Sequence, residues 1–278
     1  MAINIKEVSE KDRNSVLHPF TQLRDFASGK LGDPTIIETG KGIRIQDAHG
    51  NQFIDGFAGL YCVNVGYGRT EVAEAVSRQA HRLAYYHSYA AHTTDELAIL
   101  SDRLVKMGPG KMSKIFYGMS GSDANETQAK LVWYYNNLRG KPNKKKIISR
   151  ERGYHGCSVV SGSMTGMSFY HDHMDLPLPQ IVHTGVPHPG ETEREFSVRR
   201  AAELDQLIER LDPDNVGAFI GEPVLGRAAS RLRRKVTGKR YRRSSKSMMC
   251  CSLLMKSSPV SAGSAKCSAP STMASSQI

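Results

Sequence analysis

Apolar positions along residues 1–226 alternate between helical and strand periods. Over 70–85, Val72, Ala75, Val76 and Leu83 fall on one helical face, with Gln79 as a polar exception. Over 94–107, Leu97, Leu100, Leu104 and Met107 line a second. Two short runs, 41–46 and 51–55, flank the turn residues 47–50 and predict a hairpin. A strand is predicted over 114–117, followed by a small-residue turn and a helix over 122–138. Buried strands are predicted over 146–149 and 216–221, separated by Pro-containing loops and a charged helix over 195–211. Helices interleaved with strands predict an α/β protein. No internal repeat is present.

The chain has 278 residues, enough for a sizeable core. It has no apolar run near the roughly 18 residues of a membrane span. The first residues mix charges of both signs without an apolar stretch, so neither a secretory signal nor a typical transit peptide is expected, and cytoplasm is the expected location. Cys62 and Cys157 are isolated and Cys250, Cys251 and Cys267 crowd the end, which is neither a disulfide framework nor a zinc pattern. The net charge of +11 suggests a nucleic-acid partner until it is divided along the chain. Residues 227–278 hold 12 Lys and Arg, no Asp or Glu, 13 Ser and a single aromatic, Tyr241; residues 1–226 hold 26 basic against 27 acidic side chains. The body is near neutral, and the tail is a different polymer.

The richest chemistry lies in Phe116-Tyr-Gly-Met-Ser-Gly-Ser-Asp-Ala-Asn-Glu126. Ser120, Gly121 and Ser122 form a corner before a helix with Asp123 and Glu126 in its first turn. Free backbone N–H groups, the positive end of the helix dipole and two hydroxyls then converge on one spot, where a phosphate fits. The simpler reading is that Ser122 only caps the helix. Neither G-x-x-x-x-G-K-[ST] nor G-x-G-x-x-G occurs at a strand-to-helix junction, and G-x-S-x-G is absent, so attention moves to phosphorylated cofactors.

Two further segments stand at strand ends. Gly153-Tyr154-His155-Gly156 puts an aromatic ring beside small residues, suited to lie against a planar heterocycle or simply to pack on the core. Phe219-Ile-Gly-Glu222-Pro223 leaves a carboxylate at the end of an apolar strand, either a site residue or plain surface. His171 and His173 flank Asp172 without further ligands, and no metal site is read there. Lys144 to Lys146 read as a solvated strand edge, and Cys62 as a small buried residue.

The order of these segments resembles class III pyridoxal-phosphate aminotransferases, specifically the omega-amino acid or amine:pyruvate transaminases. The likeness runs from Leu17-His-Pro-Phe20 through Asp55-Gly-Phe-Ala-Gly-Leu-Tyr-Cys-Val-Asn-Val-Gly-Tyr-Gly68, Ser120-Gly-Ser122, Tyr154-His-Gly156 and Asp175-Leu-Pro177 to Gly221-Glu-Pro223. It implies the type I, aspartate aminotransferase-like fold, here incomplete. Residues 1–65 would be part of a small domain, 66–226 the first half of the large cofactor domain, and 227–278 a basic tail without order. The cofactor implied is pyridoxal 5′-phosphate. Gly121 and Ser122 would hold its phosphate beside Ser120, and Tyr154 would stack on its ring next to His155 and Gly156. Glu222 would orient an aspartate paired with the ring nitrogen. Phe20, Tyr61 and Tyr154 would border the substrate pocket, Tyr61 standing where the family often has Trp. The partners implied are a small-molecule amine and a keto acid, in a homodimer with shared sites, with no specific nucleic acid and no membrane.

Transamination by the family also needs a lysine amine to bond the cofactor aldehyde and carry a proton, and an ionised aspartate beside the ring nitrogen. The family supplies them beyond the Gly-Glu-Pro strand, in segments D-E-V-x-T-G-F-G-R-x-G and A-K-G. Neither occurs after Gly226. Codon arithmetic gives a reason. Read one base earlier, Leu253-Leu-Met-Lys-Ser-Ser-Pro-Val260 permits Ile-Ala-Asp-Glu-Val-Val-Thr-Gly. The following Ser261-Ala-Gly-Ser264 permits Phe-Gly-Arg-Leu, and Val236-Thr-Gly-Lys239 permits Gly-Tyr-Trp-Glu. The expectation is a tail translated out of frame, a chain that ends early, and a protein with negligible transamination and weak, noncovalent cofactor binding. The alternatives are a non-catalytic cofactor-binding fragment, or a nonspecific nucleic-acid binder using the cluster from Arg231 to Arg243.

Overall fold

A computed structural model describes residues 4–108, 112–185, 193–222, 251–254 and 264–266. The chain divides into two compact units, Met1–His92 and Thr93–Ile278.

The first unit opens with α1 (Ile5–Ser15), capped by the Asn4 side chain, and α2 (Leu23–Ala27). A three-stranded antiparallel sheet follows, β1 (Ile37–Lys41), β2 (Arg44–Asp47) and β3 (Gln52–Ile54), in that order. The expected hairpin is β2 and β3. Asp47 builds its turn, accepting the backbone N–H groups of His49 and Asn51. Strand β1 was not foreseen, because 37–41 carries little apolar alternation. A short turn, α3 (Ala58–Tyr61), and helix α4 (Thr70–Arg82) complete the unit. Cys62, expected to be buried, is exposed.

The second unit begins with α5 (Asp95–Met107), capped by Thr94, and α6 (Gly121–Leu138), capped by Ser120. No strand forms over 114–117. That run makes no ladder among the described residues, and Phe116 and Tyr117 are exposed. Its apolar composition matches a strand, but a strand also needs a neighbour for its hydrogen bonds.

The sheet contains β4 (Lys146–Arg150), β5 (Ile181–Thr184), β6 (Val216–Gly221), β7 (Cys251–Leu254) and β8 (Ser264–Lys266), in the order β5-β4-β6-β7-β8. All neighbours are parallel except β7 and β8. Helices α7 (Val159–Met164) and α8 (Glu193–Leu211) connect the first three strands. Ile147, Ala218 and Ile220 pack under α6 and α7 with Ala129, Val132, Val160 and Met164. Ile148, Val216 and Phe219 face Leu204, Leu207 and Ile208 of α8. Successive residues serve opposite layers, which gives three layers, helix on sheet on helix. The register shift between Lys146 and Ile147 turns Val216 to the α8 face.

The lysines before β4 are not a solvated edge. β4 is internal, and Lys144 is buried with its Nζ donating to the Pro213 carbonyl. Two pieces of the tail expected to lack order, β7 and β8, are strands; the rest of 227–278 lies outside the described residues.

Candidate cofactor site

The corner before α6 is built by its own side chains. Ser120 adopts extended backbone angles, and its hydroxyl accepts the N–H of Asp123 at 3.2 Å, so Ser120 rather than Ser122 is the cap. Asp123 turns back to accept the Met119 N–H at 3.0 Å. Ser122 instead reaches across to the next loop. Its Oγ accepts the Cys157 N–H at 3.1 Å and lies 3.8 Å from Cys157 Sγ, so its own proton faces either that sulfur, a weak acceptor, or a ligand. Space beside Gly121 is open, with nothing within 4 Å of where a Cβ would stand.

Beyond β4, the loop carrying Tyr154 is tied down at several main-chain groups. Tyr154 N–H donates to Glu222 Oε1 at 2.8 Å, and His155 N–H to Thr165 Oγ1 at 2.9 Å. The His155 carbonyl accepts from Asn125 Nδ2 at 2.5 Å, and that of Gly156 from the Thr165 hydroxyl at 2.8 Å. Gly156 has φ +134°, and an added Cβ would meet Ser122 Oγ at 2.6 Å and collide with Ser161, so only glycine fits between α6 and α7. Tyr154 is 45% exposed, and its ring lies 5.6 Å from the Tyr170 ring. Burial, then the neighbouring Cys157 and Tyr170, raises its phenol above the ordinary range.

Glu222 stands at the end of β6 and is 7% exposed. Burial drives its carboxyl upward, but His155, Arg150 and the Tyr154 N–H together hold it below the ordinary carboxylate range. Arg150 is the charge that persists at neutral pH, because burial pushes His155 down to about 4, only partly opposed by Glu222. Arg150 Nη2 reaches Glu222 Oε2 at 2.8 Å. His155 itself is 1% exposed, with its Nε2 3.9 Å from Glu222 Oε2.

The N-terminus of α7 cannot serve an anion in the same way. Glu126 Oε1 already accepts from Ser158 Oγ at 2.6 Å, Val160 N–H at 2.7 Å and Ser161 N–H at 3.0 Å. The anion-ready corner is therefore that of α6 alone among these two.

The family model of class III aminotransferases matches residues 27–234. The chain belongs to this family. Class III aminotransferases are pyridoxal 5′-phosphate enzymes of the type I fold, and the parallel sheet described above is part of that fold. Over 232 residues the chain is 87% identical to the uncharacterized aminotransferase y4uB of Sinorhizobium fredii, covering 81% of this chain and 50% of that one. It is 54% identical over 230 residues to a diaminobutyrate–2-oxoglutarate transaminase of Halomonas elongata, covering 80% and 49%. A solved omega transaminase of Pseudomonas jessenii in complex with PMP matches with a TM-score of 0.83 at 37% identity, over 88% of this chain and 55% of that one. The chain spans about half the length of the curated relatives it matches.

The structure brings Ser122 to the Tyr154–Cys157 loop and Tyr154 to Glu222. Phe20 and Tyr61 belong to the other compact unit, both at positive φ and exposed, with the Tyr61 ring 5.1 Å from that of Phe57. Pro223 and the Arg231 to Arg243 cluster lie outside the described residues. Among the described residues no group of His, Cys, Asp or Glu is arranged to hold a metal, and no helix is long and apolar enough to cross a membrane. Sequence reasoning missed Arg150, Asn125, Glu126 as the α7 cap, and Thr165. Arg150 directly follows a predicted strand, which was a usable signal; Thr165 and Asn125 carried none.

Proposed function

We propose that this chain carries the phosphate and ring half of a pyridoxal 5′-phosphate transaminase site. Transfer of an amino group from an amine or omega-amino acid to pyruvate or another α-keto acid is the activity of the whole protein, working as a homodimer. The relative named for diaminobutyrate and 2-oxoglutarate fits that substrate class.

The observation that carries the reading is Ser122, whose hydroxyl accepts from the Tyr154 loop while sitting in the first turn of α6. The residues fit the cofactor: an open corner at Gly121, a dipole aimed at it, and a half-exposed ring on a tethered loop. When bound, pyridoxal phosphate supplies an aldehyde and an electron-withdrawing ring for charge developing on substrate carbon. Ser122 and the first N–H groups of α6 would hold its phosphate, and Tyr154 would lie against its ring and keep water from it. Glu222 keeps Tyr154 in place and stays ionised beside Arg150.

The chain as it stands turns over negligibly. It has neither the family's lysine segment nor an acidic residue after Glu222. The cause is a one-base slip of frame after Gly226, and sequencing the coding DNA there tests it: an intact frame removes that explanation. For the site, calorimetric titration of the 278-residue chain with pyridoxamine 5′-phosphate should show binding that inorganic phosphate displaces. No binding overturns the site, and measurable transamination by the same chain overturns the loss of activity.

A further inference from the structure

Main-chain hydrogen bonds at Tyr154, His155, Gly156 and Cys157 tie the 154–157 loop to the body of its unit, most of them at or after His155. Asn125 and Thr165 hold His155 and Gly156, and Ser122 holds Cys157. The amide of Tyr154 itself is held by one acceptor, Glu222 Oε1. The other oxygen of that carboxylate, Oε2, receives Arg150 Nη2, which also donates to the Glu222 main-chain carbonyl. We infer that Arg150 is a positioning residue for the cofactor ring, acting through Glu222 on the Tyr154 main chain. This rests on the proposal that Tyr154 stacks on that ring.

The geometry leaves Glu222 few choices. Arg150 closes β4, and β4 and β6 run parallel with Ile148 opposite Phe219, so the guanidinium crosses the strand ends to reach Glu222. Side-chain exposures of 18% for Arg150 and 5% for Glu222 place the pair largely out of water. A carboxylate buried without its countercharge takes up a proton or swings to solvent. Either motion removes or weakens the acceptor of the Tyr154 N–H. His155 Nε2, 3.9 Å from Oε2, is too far to replace Arg150. Gly153 records the same closeness, since an added Cβ would lie 3.1 Å from both Glu222 oxygens. The residue before the ring is thus packed directly on the carboxylate that Arg150 fixes.

The test uses the full chain with Arg150→Met, Arg150→Lys, Tyr154→Ala and the double variant Arg150→Met/Tyr154→Ala. Pyridoxamine 5′-phosphate binding is measured by calorimetry, and amide exchange at Tyr154 by NMR. Arg150→Met should weaken binding roughly 10-fold, as expected when a charge-assisted contact is lost, and Arg150→Lys should recover part of it. In the Tyr154→Ala background the same Arg150→Met change should cost less than about two-fold, because the ring it positions is gone. Tyr154 amide exchange should rise at least about 10-fold in Arg150→Met while that of Cys157 stays within about two-fold. An equal binding cost in both backgrounds overturns the inference. So does an unchanged Tyr154 amide in a folded Arg150→Met, whether or not the ligand binds. If Arg150→Met fails to fold, Arg150→Lys decides: it keeps the charge with poorer geometry, so unchanged binding and unchanged Tyr154 exchange overturn the inference. Absence of ligand binding by the unmodified chain instead counts against the cofactor site itself.

Discussion

Replacing Ser122 by alanine separates a helix-start serine from a phosphate ligand. The hydroxyl accepts the Cys157 N–H at 3.1 Å, and helix capping belongs to Ser120. Losing a neutral hydrogen bond of this kind costs about 1 kcal/mol of stability, and the amide of the exposed Cys157 finds water instead. The proton that Ser122 offers to an anionic ligand is worth more, about 1.5–3 kcal/mol, because the acceptor is charged. Affinity for pyridoxamine 5′-phosphate should therefore fall roughly 10- to 100-fold. Pyridoxamine, which lacks the phosphate, should bind Ser122→Ala and the unmodified chain alike, within about two-fold. Paired calorimetric titrations read both ligands on the same preparations. Equal losses for the two ligands would mean that Ser122 acts only by shaping the loop, and no loss for either would refute its role as a phosphate donor.

Glu126→Ala should destabilise the unit by about 2–4 kcal/mol, because one oxygen serves Ser158, Val160 and Ser161 and two α7 amides lose their acceptor; the urea midpoint measures it. Ile148→Ala empties a fully buried position between β4 and α8 and should cost about 2–5 kcal/mol in the same assay. His155 makes stability depend on acid. Burial holds it at about 4 in the fold against an ordinary 6.5, so the unfolded chain binds the proton more readily. That stability is fully present above pH 6.5 and is lost as pH falls from 6.5 towards 4, by roughly 3 kcal/mol in all. Urea melts at about pH 7, 5.5 and 4.5 should show the loss, and His155→Gln should flatten it over that interval.

What the sequence disclosed and what it hid divide along a physical line. Helix α6, β4, β6 and the β2–β3 hairpin were legible because each satisfies a local rule: a periodic apolar face, a buried apolar run, or turn residues at fixed offsets. The corner at Ser120, Gly121 and Ser122 was legible for the same reason. Which serine caps and which reaches across was not, because that depends on Cys157, 35 residues away, arriving beside Ser122. The partnership of Arg150 with Glu222, 72 residues apart, is set by strand order, and no local pattern encodes strand order. The run 114–117 failed in the opposite sense: its composition suits a strand, and no neighbour among the described residues takes up its hydrogen bonds.

The sheet also bears on where the proposed loss of activity would arise. In open parallel sheets, ligands sit beyond the carboxyl ends of the strands, and Arg150 and Glu222 both stand there. Strand β7 adds in parallel to β6 with Leu254 opposite Gly221, so it ends level with the residue before Glu222. Read one base earlier, Leu253 and Leu254 permit Ile and Ala, and the next residue permits the family aspartate. The translated pair and the permitted pair are both apolar. The carboxylate following it has no counterpart in the frame as translated, where a methionine stands. On the reading proposed here, the slip therefore spares the scaffold up to β7 and removes the charge that the scaffold would present. Cofactor affinity then rests on phosphate and ring contacts alone, and changing Met255→Asp without the remaining tail should strengthen ligand binding little, because one carboxylate restored outside its own segment has nothing to fix its direction.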